Sequence, residues 1–344
     1  MTRVPLSVLE LAVVREGHTS GDALHGAIGT ARAADELGYS RFWVAEHHNT
    51  PAVASTAPAV LMAAAAANTT RIKVGSGGVM LPNHMPFVVA EQFAILEALY
   101  PGRVDLGIGR APGTDQVTAA ALRGVSPYLT VEQFPEHLRM LMGLLGDDRQ
   151  ATRAGRLKAT PAPATYPEIW ILGSSTYGAQ MAAALGLPFC YAYHFPTASG
   201  LEEALDLYRT GFQPSPRFPR PHVMVSASVI AAETAEQAQF QAGPSRVMML
   251  NLRTGGFQPM ISPEAAAARS FSDLDRQMME ALSGAQYVGT ADEVVASLDA
   301  LVKHTEADEL ILAGMLYDPA TQQDSLARIA SAWGLSPESV THGG

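Results

Sequence analysis

Hydrophobic positions along the chain fall into short apolar runs separated by amphipathic or alanine-rich stretches. The first run, Leu6 to Leu11, reads as a strand. A Gly/Ser/Thr/Asp cluster over 17–22 then suits the start of a helix over 23–37, which Gly38 stops. Arg41-Phe42-Trp43-Val44-Ala45 reads as a second strand and runs into Glu46-His47-His48-Asn49. Pro58 opens an alanine-rich helix at a position where its missing N–H costs nothing. The alternation continues with strands over 72–80, 104–109, 169–172, 189–192 and 222–231, and helices over 86–99, 131–145, 179–185 and 201–209. A Pro/Gly-rich connection occupies 147–167, and the rhythm breaks over about 243–286. There Met248-Met249, Gly255-Gly256 and Pro259 lie among short helical pieces. A helix over 291–304, a strand over 309–314 and a helix over 326–333 complete the chain.

Strand followed by helix, repeated, signals a parallel sheet. Eight strands and eight main helices favour an α/β protein with one closed (β/α)8 TIM barrel over an open doubly wound sheet. The expected organisation is a single domain over 1–344, with an insertion after the seventh strand at about 243–286.

In such a barrel the active site is built at the C-terminal ends of the strands. The unusual residues all fall there. Gly75-Ser76-Gly77-Gly78 sits inside an apolar strand, where glycine weakens the structure and needs a reason. A bulge or a planar ligand against bare backbone would supply one; a flexible loop is the plainer alternative. Gly107-Ile108-Gly109-Arg110 ends the fourth strand. Its glycine spacing does not make a dinucleotide fingerprint, since the third glycine is one place late and Pro112 intervenes. Arg110 suits a phosphate or carboxylate, or else a rim salt bridge. Gly173-Ser174-Ser175-Thr176 joins a strand to a helix and could be an anion site or a plain helix cap. His47 and His48 point in opposite directions, so they cannot easily share a metal, and no cluster supplies further ligands. A structural pair and a proton-handling histidine remain open. No Gly-x-Ser-x-Gly elbow supports hydrolysis.

Composition narrows the class. A formal charge of -10 argues against nucleic acid and anionic membrane surfaces. Cys190 is the single cysteine, so no internal disulfide framework forms. The chain shows no secretory pattern at Met1 to Pro5, and its most apolar segment, 57–67, is too short to span a bilayer. A cytoplasmic, soluble protein is expected.

Together these segments resemble the bacterial luciferase-like, flavin-dependent monooxygenase superfamily. Those that carry the resemblance are Phe42 to His48, Val74 to Pro82, Gly102 to Arg110, Gly173-Ser174-Ser175, Gly186-Leu187-Pro188 and Val288-Gly289-Thr290. The resemblance implies a (β/α)8 barrel that holds reduced FMN at its mouth. The flavin ring would lie against Ser76, Gly77 and Gly78, with a cis peptide bond between Gly77 and Gly78. Arg110, Gly173, Ser174 and Ser175 would meet the phosphate, His47 would be the catalytic histidine, and Glu46 would lie beside the flavin. His194 and Phe195 would shape the substrate pocket with the insertion. Such enzymes add O2 to reduced flavin, and the resulting C4a-peroxyflavin oxygenates a small organic substrate. A separate flavin reductase supplies FMNH2, and a homodimer through the helices after the second and third strands is expected. F420-dependent hydride transfer on the same fold, or flavin binding without turnover, are the alternatives. Two departures stand out: Gly109 replaces a cysteine of luciferase, and Met85 replaces a histidine, with His84 adjacent but differently aimed. Both weigh against an aldehyde substrate and light emission.

Overall fold

The computed structural model describes residues 3–337 apart from 125, 127–128, 196–197, 199, 255–257 and 283–285. Its strands are β1 (Leu6–Glu10), β2 (Arg41–Val44), β3 (Lys73–Met80), β4 (Val104–Gly109), β5 (Glu168–Gly173), β6 (Phe189–Tyr191), β7 (Val223–Ala232), β8 (Gln286–Thr290) and β9 (Glu309–Ala313). β1 to β7 pair in chain order, all parallel, and β9 closes the ring between β7 and β1. This is the eight-stranded TIM barrel that the alternation predicts.

β8 lies outside the ring. It pairs with the last five residues of β7, from Ser228↔Gln286 to Ala232↔Thr290, while the first part of β7 pairs with β6 and β9. The hydrophobic pattern does not predict β8, because only Gly289 of its five residues is buried. The strand expected over 309–314 is therefore ninth in the chain and eighth in the ring. A second difference concerns the helix Ala235–Thr254, which runs through Gly243 and Pro244 where a break is expected. Ala238 and Ala242 pack on Ile230, Ala232 and Leu316, and that burial overrides poor local propensity. Gly255 and Gly256 lie outside the described residues. Beyond them Met260 exchanges 2.8 Å backbone hydrogen bonds with Val14 and Glu16, which ties the inserted segment to the loop after β1. A helix over Gln116–Arg123, capped by Asp115, was also not expected.

Side chains alternate along each strand. Those facing out, such as Leu6, Val8, Phe42 and Val74, form the main core under the helices. Those facing in form layers. At the strand starts Arg41 bonds Asp105 at 2.8 Å and Glu309 at 3.1 Å, and lies 3.3 Å from Glu168, which also pairs with Lys73 at 2.9 Å. Ser7 donates to Glu309, and Trp43 Nε1 donates to Asp105 at 2.9 Å. Burial raises the pKa of Asp105 despite Arg41. For Glu168 burial also pushes upward, but Arg41 and Lys73 prevail and hold it at about 2. Above this charged floor lies an apolar plug of Leu9, Trp43, Trp170, Cys190, Met224, Ile311 and Ala313. Trp43 and Trp170 meet edge to face with centroids 5.5 Å apart. The plug explains part of the glycine run: a Cβ on Gly75 would collide with the Trp43 ring. No helix among the described residues is long and apolar enough to cross a membrane.

Candidate active site

The glycines of β3 lie where the barrel opens. Between Ser76 and Val79 the register of β3 against β4 shifts, and the Gly77-Gly78 peptide bond is cis, as the resemblance implies. A Cβ on Gly77 would stand 2.6 Å from Leu9 Cδ1, and one on Gly78 would stand 2.8 Å from the Gly107 carbonyl oxygen. Rigid protein atoms thus leave no room for a Cβ at 75 and 78, whereas at 77 it would press on the end of the Leu9 side chain. Ser76 Oγ donates to the Gly107 carbonyl at 2.9 Å, so its hydroxyl stitches β3 to β4.

The end of β2 supplies Glu46, His47 and His48, and neighbouring loops hold this segment. The His47 amide donates to the Ser55 carbonyl at 3.0 Å, and Thr114 Oγ1 donates to the His48 carbonyl at 3.0 Å. Glu46 is wholly buried. Its Oε1 bonds His48 Nε2 at 2.9 Å and His84 Nε2 at 2.7 Å, while Oε2 accepts from the Met80 amide at 3.1 Å. Burial pushes its pKa up, but the bonds from His84, His48 and Met80 outweigh that and hold the carboxylate below its usual range. Both oxygens thus brace the loops after β2 and β3. His84 is one of the braces, whereas Met85 is exposed.

His47 takes no part in these bonds. Its Nδ1 is buried with no hydrogen-bond partner among the described residues. Burial lowers its pKa, Glu46 opposes the fall and His48 adds to it, so the ring stays neutral near pH 7. Beyond β6, His194 Nδ1 lies 2.6 Å from Ser226 Oγ on β7. Burial, with repulsion from His47, takes its pKa down to about 4. Phe195 is exposed and its ring lies 4.4 Å from that of His194. His47, far away in the chain, is thus among the groups that depress the pKa of His194.

Gly173 ends β5, and Ser174 and Ser175 lead into the helix Thr176–Leu185. Ser175 is the N-cap residue but its side chain makes no capping bond. Four amide N–H groups at a helix start lack intrahelical partners, and the helix dipole places positive charge there. Arg110, exposed at the end of β4, lays its guanidinium 4.0 Å from the ring centroid of Tyr177, in the first turn of that helix. It makes no hydrogen bond or ion pair with a described residue. The barrel thus brings Arg110 to the first turn of the helix that follows 173–175.

The matching family is that of luciferase-like monooxygenases, over residues 5–308. The chain belongs to the luciferase-like monooxygenase family.

The uncharacterized protein YvbT of Bacillus subtilis (strain 168) is 42% identical over 328 residues, which cover 95% of this chain and 96% of that one. A luciferase-like monooxygenase of Escherichia coli (strain K12) is 39% identical over 92% of each chain. Among solved structures, apo-MsnO8 superposes with a TM-score of 0.89 at 37% identity, covering 98% of this chain and 99% of that one. More distant structures share the fold alone: the oxygenating constituent of 3,6-diketocamphane monooxygenase in complex with FMN, at a TM-score of 0.70 and 19% identity over 99% of this chain and 100% of that one, and an F420-dependent secondary alcohol dehydrogenase, at 0.69 and 16% over 96% and 99%.

Within this luciferase-like barrel, no group of three or more His, Cys, Asp or Glu side chains among the described residues could hold a metal ion. Four site features escaped sequence reasoning: the His84 brace, Ser55, Tyr177 and Ser226. Ser226 left one signal, a hydroxyl in the apolar run Val223-Met224-Val225-Ser226-Ala227.

Proposed function

We propose that this protein is a two-component FMN-dependent monooxygenase. It takes reduced FMN from a separate flavin reductase and uses O2 to oxygenate a small organic substrate. One observation carries the reading: an uncapped helix N-terminus at Thr176–Leu185 with Arg110 resting on Tyr177 beside it, at the mouth of a luciferase-like barrel. That donor set suits a terminal phosphate. The orphaned, buried Nδ1 of His47 fits a second polar contact to the same ligand.

Bound there, reduced FMN supplies the electrons by which one atom of O2 enters the substrate. Arg110, the free amides and the hydroxyls of Ser174 and Ser175 hold the phosphate. Glu46 braces the loops after β2 and β3, which sets the position of His47. His47, neutral near pH 7, accepts or returns a proton at the reacting centre, and the plug of Trp43 and Trp170 closes the barrel below. The cytoplasm, where a reductase is at hand, is the proposed compartment. A homodimer is proposed through Val60, Val88, Ile95 and Leu99, which are exposed on the helices Pro58–Ala67 and Pro86–Leu99.

Equilibrium titration with reduced FMN and with reduced F420 tests the cofactor. FMN is expected to bind more tightly, and Arg110→Ala to weaken it. Tighter binding of F420 would redirect the reading to hydride transfer; binding of neither would end it.

A further inference from the structure

Ser226 faces into the barrel from β7, beneath His194, and is 1% exposed. Three groups reach its single hydroxyl: His194 Nδ1 at 2.6 Å, the His194 amide N–H at 3.2 Å and the Tyr191 carbonyl at 3.3 Å. A hydroxyl offers one proton and two lone pairs. The amide N–H takes one lone pair. The carbonyl can only accept, so the hydroxyl proton goes to it. Nδ1 is then left with the second lone pair and must bring its own hydrogen. This arrangement makes all three contacts hydrogen bonds, whereas a hydroxyl donating to Nδ1 makes only two. The hydroxyl is buried, and the arrangement that forms the most hydrogen bonds around it prevails. The Phe195 ring, tilted by 36° over the imidazole, helps to hold it. Nε2 has no hydrogen-bond partner among the described residues.

We propose that Ser226 is a positioning residue that locks His194 as its Nδ1–H tautomer, so that Nε2 offers a lone pair to the barrel mouth and accepts a hydrogen bond from a substrate bearing an O–H or N–H group. The substrate's place at the mouth rests on the monooxygenase reading; the tautomer does not. His47 lies within electrostatic reach of the ring, so the donor on the substrate is held near the proposed reacting centre.

The test is ring-nitrogen NMR on protein labelled with 15N-histidine, without flavin. The His194 signals are identified by their loss in His194→Gln. A protonated Nδ1 and a bare Nε2 are expected in the wild type and in Ser226→Thr. In Ser226→Ala the ring should move toward the Nε2–H form that free histidine prefers. An Nε2–H ring in the wild type, or an unchanged ring in Ser226→Ala, overturns the proposal. If His194→Gln does not fold, neutron diffraction from wild-type crystals decides by finding the hydrogen on Nδ1 (support) or on Nε2 (refutation). Failure of the wild type to bind FMN would sink the functional reading while leaving the tautomer result standing.

Discussion

The two ends of the barrel treat polar groups in opposite ways. At the floor, Arg41, Lys73, Asp105, Glu168 and Glu309 are joined to one another in a dense network. At the mouth, among the described residues, His47 Nδ1 and Arg110 have no hydrogen-bond partner, and the Ser175 side chain does not cap the helix Thr176–Leu185. Buried polar groups are normally satisfied, so the floor network reads as structure and the orphaned His47 Nδ1 as readiness for a ligand. Glu46 belongs to both kinds: it sits at the mouth yet is bonded like a floor residue.

The largest effect should come from breaking the floor. Arg41→Met leaves Asp105 and Glu309 without their shared cation, and removing one partner of a buried ion network costs about 3–5 kcal/mol. Chemical denaturation should show this loss, and a change below 1 kcal/mol would erase the contrast between the two ends. His47→Ala should do the reverse. Turnover, measured with a flavin reductase and NADH once a substrate is found, should fall about 10²–10⁴-fold. The denaturation midpoint should hardly move.

Acid comes next. The pKa of Glu168 is depressed in the fold to about 2, so its contribution is present above its unfolded value of 4.5 and is lost as pH falls from there toward 2. Unfolding followed by circular dichroism across that window should show stability falling by a few kcal/mol. A flat profile would mean that Arg41 and Lys73 do not hold this carboxylate.

Arg110→Ala should weaken FMN binding about 10–100-fold, the worth of charge-assisted bonds to a phosphate, with stability unchanged. An unaltered affinity would remove the phosphate role. Glu46→Gln should have the smallest and most mixed effect. It replaces an acceptor of three hydrogen bonds with a weaker one and should cost about 1–2 kcal/mol of stability together with a modest loss of turnover. A purely functional effect would move Glu46 out of the bracing role.

Much of the site was legible in the sequence because it follows strand ends. His47 and Arg110 lie just past β2 and β4, the segment 173–175 lies at the end of β5, and parallel topology sends all such ends to one face. The glycine run was legible as an anomaly but not in its cause: that Gly75 makes room for Trp43 and Gly78 for the β4 backbone depends on which strands neighbour β3. Ser226 and His84 were out of reach for a related reason. Each acquires its role from a partner that is 32 residues away for Ser226 and 38 residues away for His84, and no local pattern encodes such a pairing.

By itself the sequence determined the strand–helix alternation, the closed barrel and the face that carries the candidate site residues, because hydrophobic periodicity and turn residues act locally along the chain. The tertiary structure alone decided that β8 lies outside the ring, that Gly243 and Pro244 stay helical, which charges share the floor and which imidazole nitrogens remain free. Those outcomes depend on burial and on donor–acceptor pairing between distant segments, which exist only once the barrel has closed.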